Sequence, residues 1–259
     1  MMTTALADSA TMLRRNLKHM LRYPSMIAFM ILMPVGFLLL FVYILGGTIG
    51  PAGHTGRAAY ATFITPGVLA LTAVAATTAT AVSIATDMTG GIVARFRTMP
   101  IARVSVLAGH VGGAVIQTVL GMVAVTAIAL LTGFRATTSA TDWLAAAAIL
   151  ILFAFALTWL SVALGLAAKS VESASNAPTP LIILAFLGSG FVLTRSMPTA
   201  IRWFAEYQPF TPVIDTVRGL LIGGPIGRNA VIAIAWCLVI TLGSYLWARK
   251  LFNRDLVVS

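Results

Sequence analysis

Side chains able to do covalent or metal chemistry are few in this sequence, and their spacing does not suit it. His19, His54 and His110 are far apart and show no H-E-x-x-H spacing, so no helical face carries a zinc pair. Gly165-Leu166-Ala167-Ala168-Lys169-Ser170 ends like a phosphate loop but lacks the second glycine, and it runs out of an apolar stretch. No Gly-x-Ser-x-Gly elbow occurs, and Gly188-Ser189-Gly190 reads as a point of packing or flexibility. The single cysteine, Cys237, excludes an internal disulfide and reads as a small buried residue. The chain is therefore expected to catalyse nothing and to bind no metal or cofactor of its own.

What remains polar is mostly cationic, with 17 Lys and Arg against 7 Asp and Glu and a formal net charge of +10. The charges are spread over separate segments, which argues against a nucleic-acid surface. Between them lies an apolar chain, 59% hydrophobic and 9% charged, with mean hydropathy +0.97. Soluble domains carry about 25% charged residues. Six apolar stretches stand out, at 25–46, 60–85, 104–131, 143–168, 180–193 and 229–248. A bilayer core of about 30 Å needs about 20 helical residues. The fifth stretch reaches that length only with its lead-in at 176–179. The first follows a basic segment, as a secretory signal would, but is too long for a signal core of about 7–15 residues. The expectation is an all-α membrane protein of six transmembrane helices, with residues 1–259 forming a single transmembrane domain.

Charge orients these helices. With the N-terminus inside, the inner segments hold 11 Lys and Arg and the outer ones 6, four of them in one long loop. Basic residues near the spans favour the cytoplasmic side, so both termini are expected there. No Asp, Glu, Lys or Arg falls near the middle of an apolar stretch; Asp87, Lys169 and Glu172 all sit at inner ends. Ion and proton pathways need such residues, and their absence argues against ion-coupled transport.

Two cytoplasmic parts follow. In 1–24, Leu6, Ala10, Leu13, Leu17 and Leu21 make an apolar stripe, with Arg14, Arg15, Lys18 and Arg22 largely off it. Such a helix lies along the inner surface with its cations at anionic headgroups, either as a plain anchor or as a lever that a partner pushes. The segment 86–103 joins the second and third spans through a Gly pair, a short mixed helix and Pro100. Ile92, Phe96 and Met99 share one face of it, an apolar knob flanked by arginines.

Within the membrane, polarity is mild. Thr62, Thr65 and Thr72 lead a series of hydroxyls along the second span; they bond their own helix or line a route for cargo. Gly109, Gly113, Gln117 and Gly121 recur every four residues along the third, a ridge for close helix packing. The long loop 194–228 reads as an outer helical hairpin. Its first helix carries Trp203 and Tyr207, and a stripe of Ile201, Phe204 and Ala205. Its second is expected to be capped by Thr211, to share a face among Val213, Val217, Leu220 and Leu221, and to end at Gly223-Gly224-Pro225. Asp215 and Arg218 stand close enough in it to pair. The hairpin either re-enters the outer leaflet, with its aromatics at headgroup depth, or lies on the surface.

Three stretches carry a resemblance. Arg95-Phe96-Arg97-Thr98-Met99-Pro100-Ile101-Ala102-Arg103 resembles the elbow R-x-R-T-[LM]-P-x-x-R, and residues 165–174 resemble G-L-x-A-x-S-x-E-x-A. Pro209-Phe210-Thr211-Pro212-Val213-Ile214-Asp215-Thr216-Val217-Arg218-Gly219-Leu220-Leu221 resembles an outer motif N-P-x-T-x-V-x-D-x-x-R-x-L-L, with Gln208 in place of the usual Asn. Together with the topology, they resemble the ABC type-2 exporter permeases, in particular the daunorubicin-resistance permease-like branch. That resemblance implies the membrane subunit of an exporter, for which the uncharged lining suggests an amphipathic, lipid-like or drug-like cargo, and which pairs with a second copy or a related permease. A separate ATPase subunit would bind ATP and Mg and receive Arg95, Phe96, Arg97, Met99, Pro100 and Arg103 of the elbow. The alternatives are a non-transport assembly or regulatory protein, and a secondary transporter, which the uncharged spans disfavour. A plasma-membrane location is expected, and Arg over Lys at 14 to 3 points to a GC-rich bacterial genome.

Overall fold

The structure, a computed structural model, describes residues 24–46, 56–89, 103–192, 194 and 197–254. The expected surface helix, with Arg14, Arg15, Lys18 and Arg22, lies outside the described residues. So do Arg95, Phe96, Arg97, Met99 and Pro100 of the elbow. Among the described residues, regular structure is helical. Helix α1, Pro24–Leu40, runs into a π-helical turn at Phe41–Leu45; α2 is Arg57–Thr89 and α3 is Arg103–Leu131. Then come α4, Ala140–Ala167; α5, Val171–Asn176; α6, Thr179–Phe186; α7, Thr199–Tyr207; α8, Phe210–Ile222; and α9, Asn229–Arg254. Arg103 is the first residue of α3.

Among the described residues four helices are long and apolar enough to cross a membrane: Arg57–Thr89, Gly109–Leu131, Ala140–Ala167 and Asn229–Phe252. A shorter apolar helix, Ile31–Leu45, lies within the first expected span, 25–46. The fifth expected span departs from the sequence reading, because 180–193 is not one helix. There α6 has only 8 residues, about 12 Å at 1.5 Å each. Pro178, at its N-cap, separates it from α5, Pro180 sits in its first turn, and the chain turns at Leu187–Gly190.

At the centre stands α2, which packs on α1, α3, α4, α5, α6 and α8. In its most apolar stretch 72% of residues are buried, against 17% in α9, so α2 is the helix least able to meet lipid. Small residues make this possible. A methyl group on Gly165 would stand 2.7 Å from the Ala81 carbonyl oxygen, so α4 crosses α2 with no space for a side chain there. Gly109, Gly113 and Gly121 of the α3 ridge are likewise buried.

Two apolar cores mark the two ends of the bundle. The larger gathers Phe134, Phe153, Phe210, Ile214 and Leu221. The smaller holds Ile84, Val111, Trp159, Val162 and Phe252, where α2, α4 and α9 finish and α3 begins. The second is the elbow end, with Lys169, Arg249 and Lys250; the first is the hairpin end, with Arg57, Arg135, Arg202, Arg218 and Arg228. At the elbow end, His110 Nε2 lies 3.0 Å from Asp87 Oδ2 and ties α2 to α3.

Candidate functional site

The polar site of the chain lies where α8 meets the broken fifth stretch. Helix α8 begins after Pro209, carries Pro212 in its first turn, and ends at Gly223 with φ +80°, whose N–H donates to the Gly219 carbonyl. Its apolar residues Phe210, Val213, Ile214, Val217, Leu220 and Leu221 are buried, among them the four expected to share a face. On the other side, Gln208 just before the helix and Thr211, Asp215 and Arg218 on it follow at steps of three, four and three. All four turn toward 184–189.

Each meets a group that the interrupted helix leaves open. Gln208 Nε2 donates to the Leu184 carbonyl at 2.9 Å, and Ser189 N–H donates to Thr211 Oγ1 at 3.2 Å. Ser189 Oγ donates to Asp215 Oδ1 at 2.6 Å, and Arg218 Nη1 donates to that same oxygen at 2.8 Å. Arg218 Nη2 donates to the Ser189 carbonyl at 2.7 Å and, at 3.4 Å, to the Phe63 carbonyl of α2. Its guanidinium carbon stands 4.6 Å from the Phe63 ring centroid. Non-helical backbone is tolerated at membrane depth only where protein or water satisfies it. Here α8 supplies the donors and acceptors. Close backbone contact completes the joint, since a methyl on Gly67 would stand 2.6 Å from Gly190 Cα.

The Asp215–Arg218 pair is therefore where the spacing places it, but the expected Thr211 cap is not. No side chain caps α8, and the Thr211 hydroxyl faces Ser189 instead. The stripe on α7 also splits: Ala205 is fully buried, while Ile201 and Phe204 are exposed alongside Trp203 and Tyr207. Arg202 pairs with Glu206 at 2.7 Å on that helix, and Trp236 Nε1 of α9 donates to the Tyr207 carbonyl at 3.0 Å. The sequence names Ser189 as a packing point, Gln208 as a motif position and Thr211 as a cap, but not their meeting; the 208/211/215/218 spacing is the signal of that polar face.

Of the threonines, Thr65 and Thr72 are fully buried, and their hydroxyls donate to the Ala61 and Val68 carbonyls at 2.6 and 2.8 Å. Thr62 donates to Ala58 but also lines a cavity of about 420 Å³ between α2, the turn at 133–135 and α8. An apolar cavity of about 360 Å³ opens between α3 and α4, lined by Met122, Leu130, Trp143 and Leu150 among others. The α8 site is a lock that holds hairpin, broken segment and α2 together.

The sequence profile of the family described as "ABC-2 type transporter" matches residues 9–222, ending on the last residue of α8. The chain is also 31% identical over 223 residues to the daunorubicin resistance ABC transporter permease protein DrrB1 of Streptomyces coeruleorubidus. That similarity covers 85% of this chain and 77% of the relative.

Proposed function

The chain belongs to the ABC-2 type transporter family, and from that premise we propose that it is the membrane half of an ATP-driven exporter for amphipathic, lipid-like or drug-like cargo. The observation that carries this reading is a family match across residues 9–222 in a chain without a phosphate loop. ATP and Mg then belong to a separate ATPase subunit. A second copy of the chain, or a related permease, completes the pathway in the plasma membrane of a bacterium. The drug-resistance name of the Streptomyces relative supports such cargo. So does the apolar cavity between α3 and α4.

In this reading the elbow end is cytoplasmic, as the excess of basic residues there favours. The chain crosses six times, the fifth time as the broken α5–α6 segment. Arg95, Phe96, Arg97, Met99, Pro100 and Arg103 seat in a cleft of the ATPase, with Arg14, Arg15, Lys18 and Arg22 on the adjoining headgroups. Closure of the ATPase on ATP pushes the elbow, and the Asp87–His110 contact passes that push to both helices it joins. The locked hairpin, with Trp203 and Tyr207 outermost, shapes the exit.

The test is to express the chain with the ATPase encoded beside it, reconstitute both, and follow cargo-stimulated ATP hydrolysis. Changing Phe96 and Arg97 together to Ala is expected to remove co-purification and stimulation. Undiminished stimulation in that variant would overturn the docking role of the elbow.

A further inference from the structure

The cavity at the hairpin end is lined by Ala58, Ala59 and Thr62 of α2, Gly133 and Arg135 of the turn after α3, and Arg218 and Ile222 of α8. Its volume of about 420 Å³ falls in the ordinary range for small-molecule sites, about 300–1,000 Å³. Two arginines face it. Arg218 is balanced by Asp215. Among the described residues Arg135 meets no carboxylate and is exposed, so the cavity carries an uncompensated positive charge. Arg57, the residue before Ala58, is not part of the lining; its guanidinium stands 5.3 Å from the Tyr43 ring centroid.

The rest of the lining is apolar: two alanines, the Phe63 ring and Ile222. The turn bearing Arg135 is pressed onto α2, because a methyl on Gly133, at φ +105°, would stand 3.1 Å from Ala58 Cβ. Hydroxyls of Thr137 and Thr138 donate to the Ile222 and Leu221 carbonyls at 3.1 and 3.4 Å, tying the turn to α8 as well. Arg135 is thus presented by a braced turn at the end of the apolar helices, where headgroups lie.

We propose that this cavity binds the oxyanion of an amphipathic molecule, a phosphate or carboxylate that Arg135 meets while the first chain atoms lie on Ala58, Ala59 and Ile222. Arginine suits this because its planar fork matches both oxyanions and is always charged. The source is an anionic lipid of the bilayer or a soluble anion. Binding depends on the cavity, not on export, so the site would exist even in a non-transporting protein.

The experiment places the purified full chain in nanodiscs of phosphatidylcholine with a minor share of phosphatidylglycerol and measures retained phosphatidylglycerol. One arginine near a bilayer contributes about 1 kcal/mol toward an anionic lipid, about fivefold. Arg135→Gln is expected to lower retention about fivefold, Arg135→Lys to restore most of it, and Arg202→Gln, an exposed cation outside the cavity that Glu206 balances, to leave it unchanged. Inorganic phosphate is titrated in parallel. If phosphate displaces the lipid and Arg135→Gln abolishes that competition, the site holds and takes soluble anions too. If Arg135→Gln retains the lipid as wild type does, or Arg202→Gln loses as much, the proposal is overturned.

Discussion

Arg218 joins three segments through one guanidinium: Asp215 in its own helix, the Ser189 carbonyl of the broken segment and the Phe63 carbonyl of α2. Its side chain is 19% exposed, so a neutral environment penalises the charge if the carboxylate goes. Asp215→Ala is expected to cost on the order of 2 kcal/mol. In a chain of this size that lowers the apparent melting temperature by roughly 4–8 °C. Ser189→Ala removes one charge-assisted bond and costs about half as much. The two should be non-additive, because both act on Asp215 Oδ1. Melting of detergent-purified variants by size-exclusion recovery checks this, and an additive double variant would mean the two residues are not coupled. The Asp215–Arg218 pair could be read from spacing, since neighbours on a helix need no tertiary information. Ser189 could not, lying 26 residues from Asp215 across a turn.

At the scale of elements, the fold depends on glycines that permit contact, and they are not equivalent. Gly67→Ala drives a methyl to 2.6 Å from the backbone of Gly190, so one segment must move, at about 1–3 kcal/mol. Gly243, in α9, has nothing within 4 Å of a built methyl, and Gly243→Ala is expected to be neutral or to gain up to about 1 kcal/mol of helix propensity. The same melting assay separates the two signs, and equal effects would remove the role assigned to the Gly67–Gly190 crossing. Long apolar helices were legible because bilayer length filters them. The end of α6 was not, since hydropathy counts apolar residues and cannot see that Gln208 and Arg218 satisfy the carbonyls left open.

For the whole molecule the decisive quantity is which end faces out. Cys237 is buried, so a labelling series can start from Cys237→Ser with little expected loss. A cysteine at Ala200, exposed at the start of α7, is expected to react with a membrane-impermeant thiol reagent added to intact cells. Reaction only after lysis would reverse the orientation and with it the cytoplasmic elbow. Exposed apolar residues line α3 and α9, among them Val123, Leu131, Val239 and Leu242. Such faces are stable against lipid or another apolar helix but not against water.

The order of residues alone settles membrane residence and the uncharged span centres, because these follow from local composition. It also contains the arginine-rich stretch 95–103 and the α8 spacing. Tertiary structure decides what the α8 spacing is for: a polar face that completes a helix broken inside an apolar bundle. It also decides that α2 is central and that Arg135 and Arg218 share one cavity. The physical reason is the same in each case. Burial and charge balance depend on groups far apart in sequence, which only packing brings together.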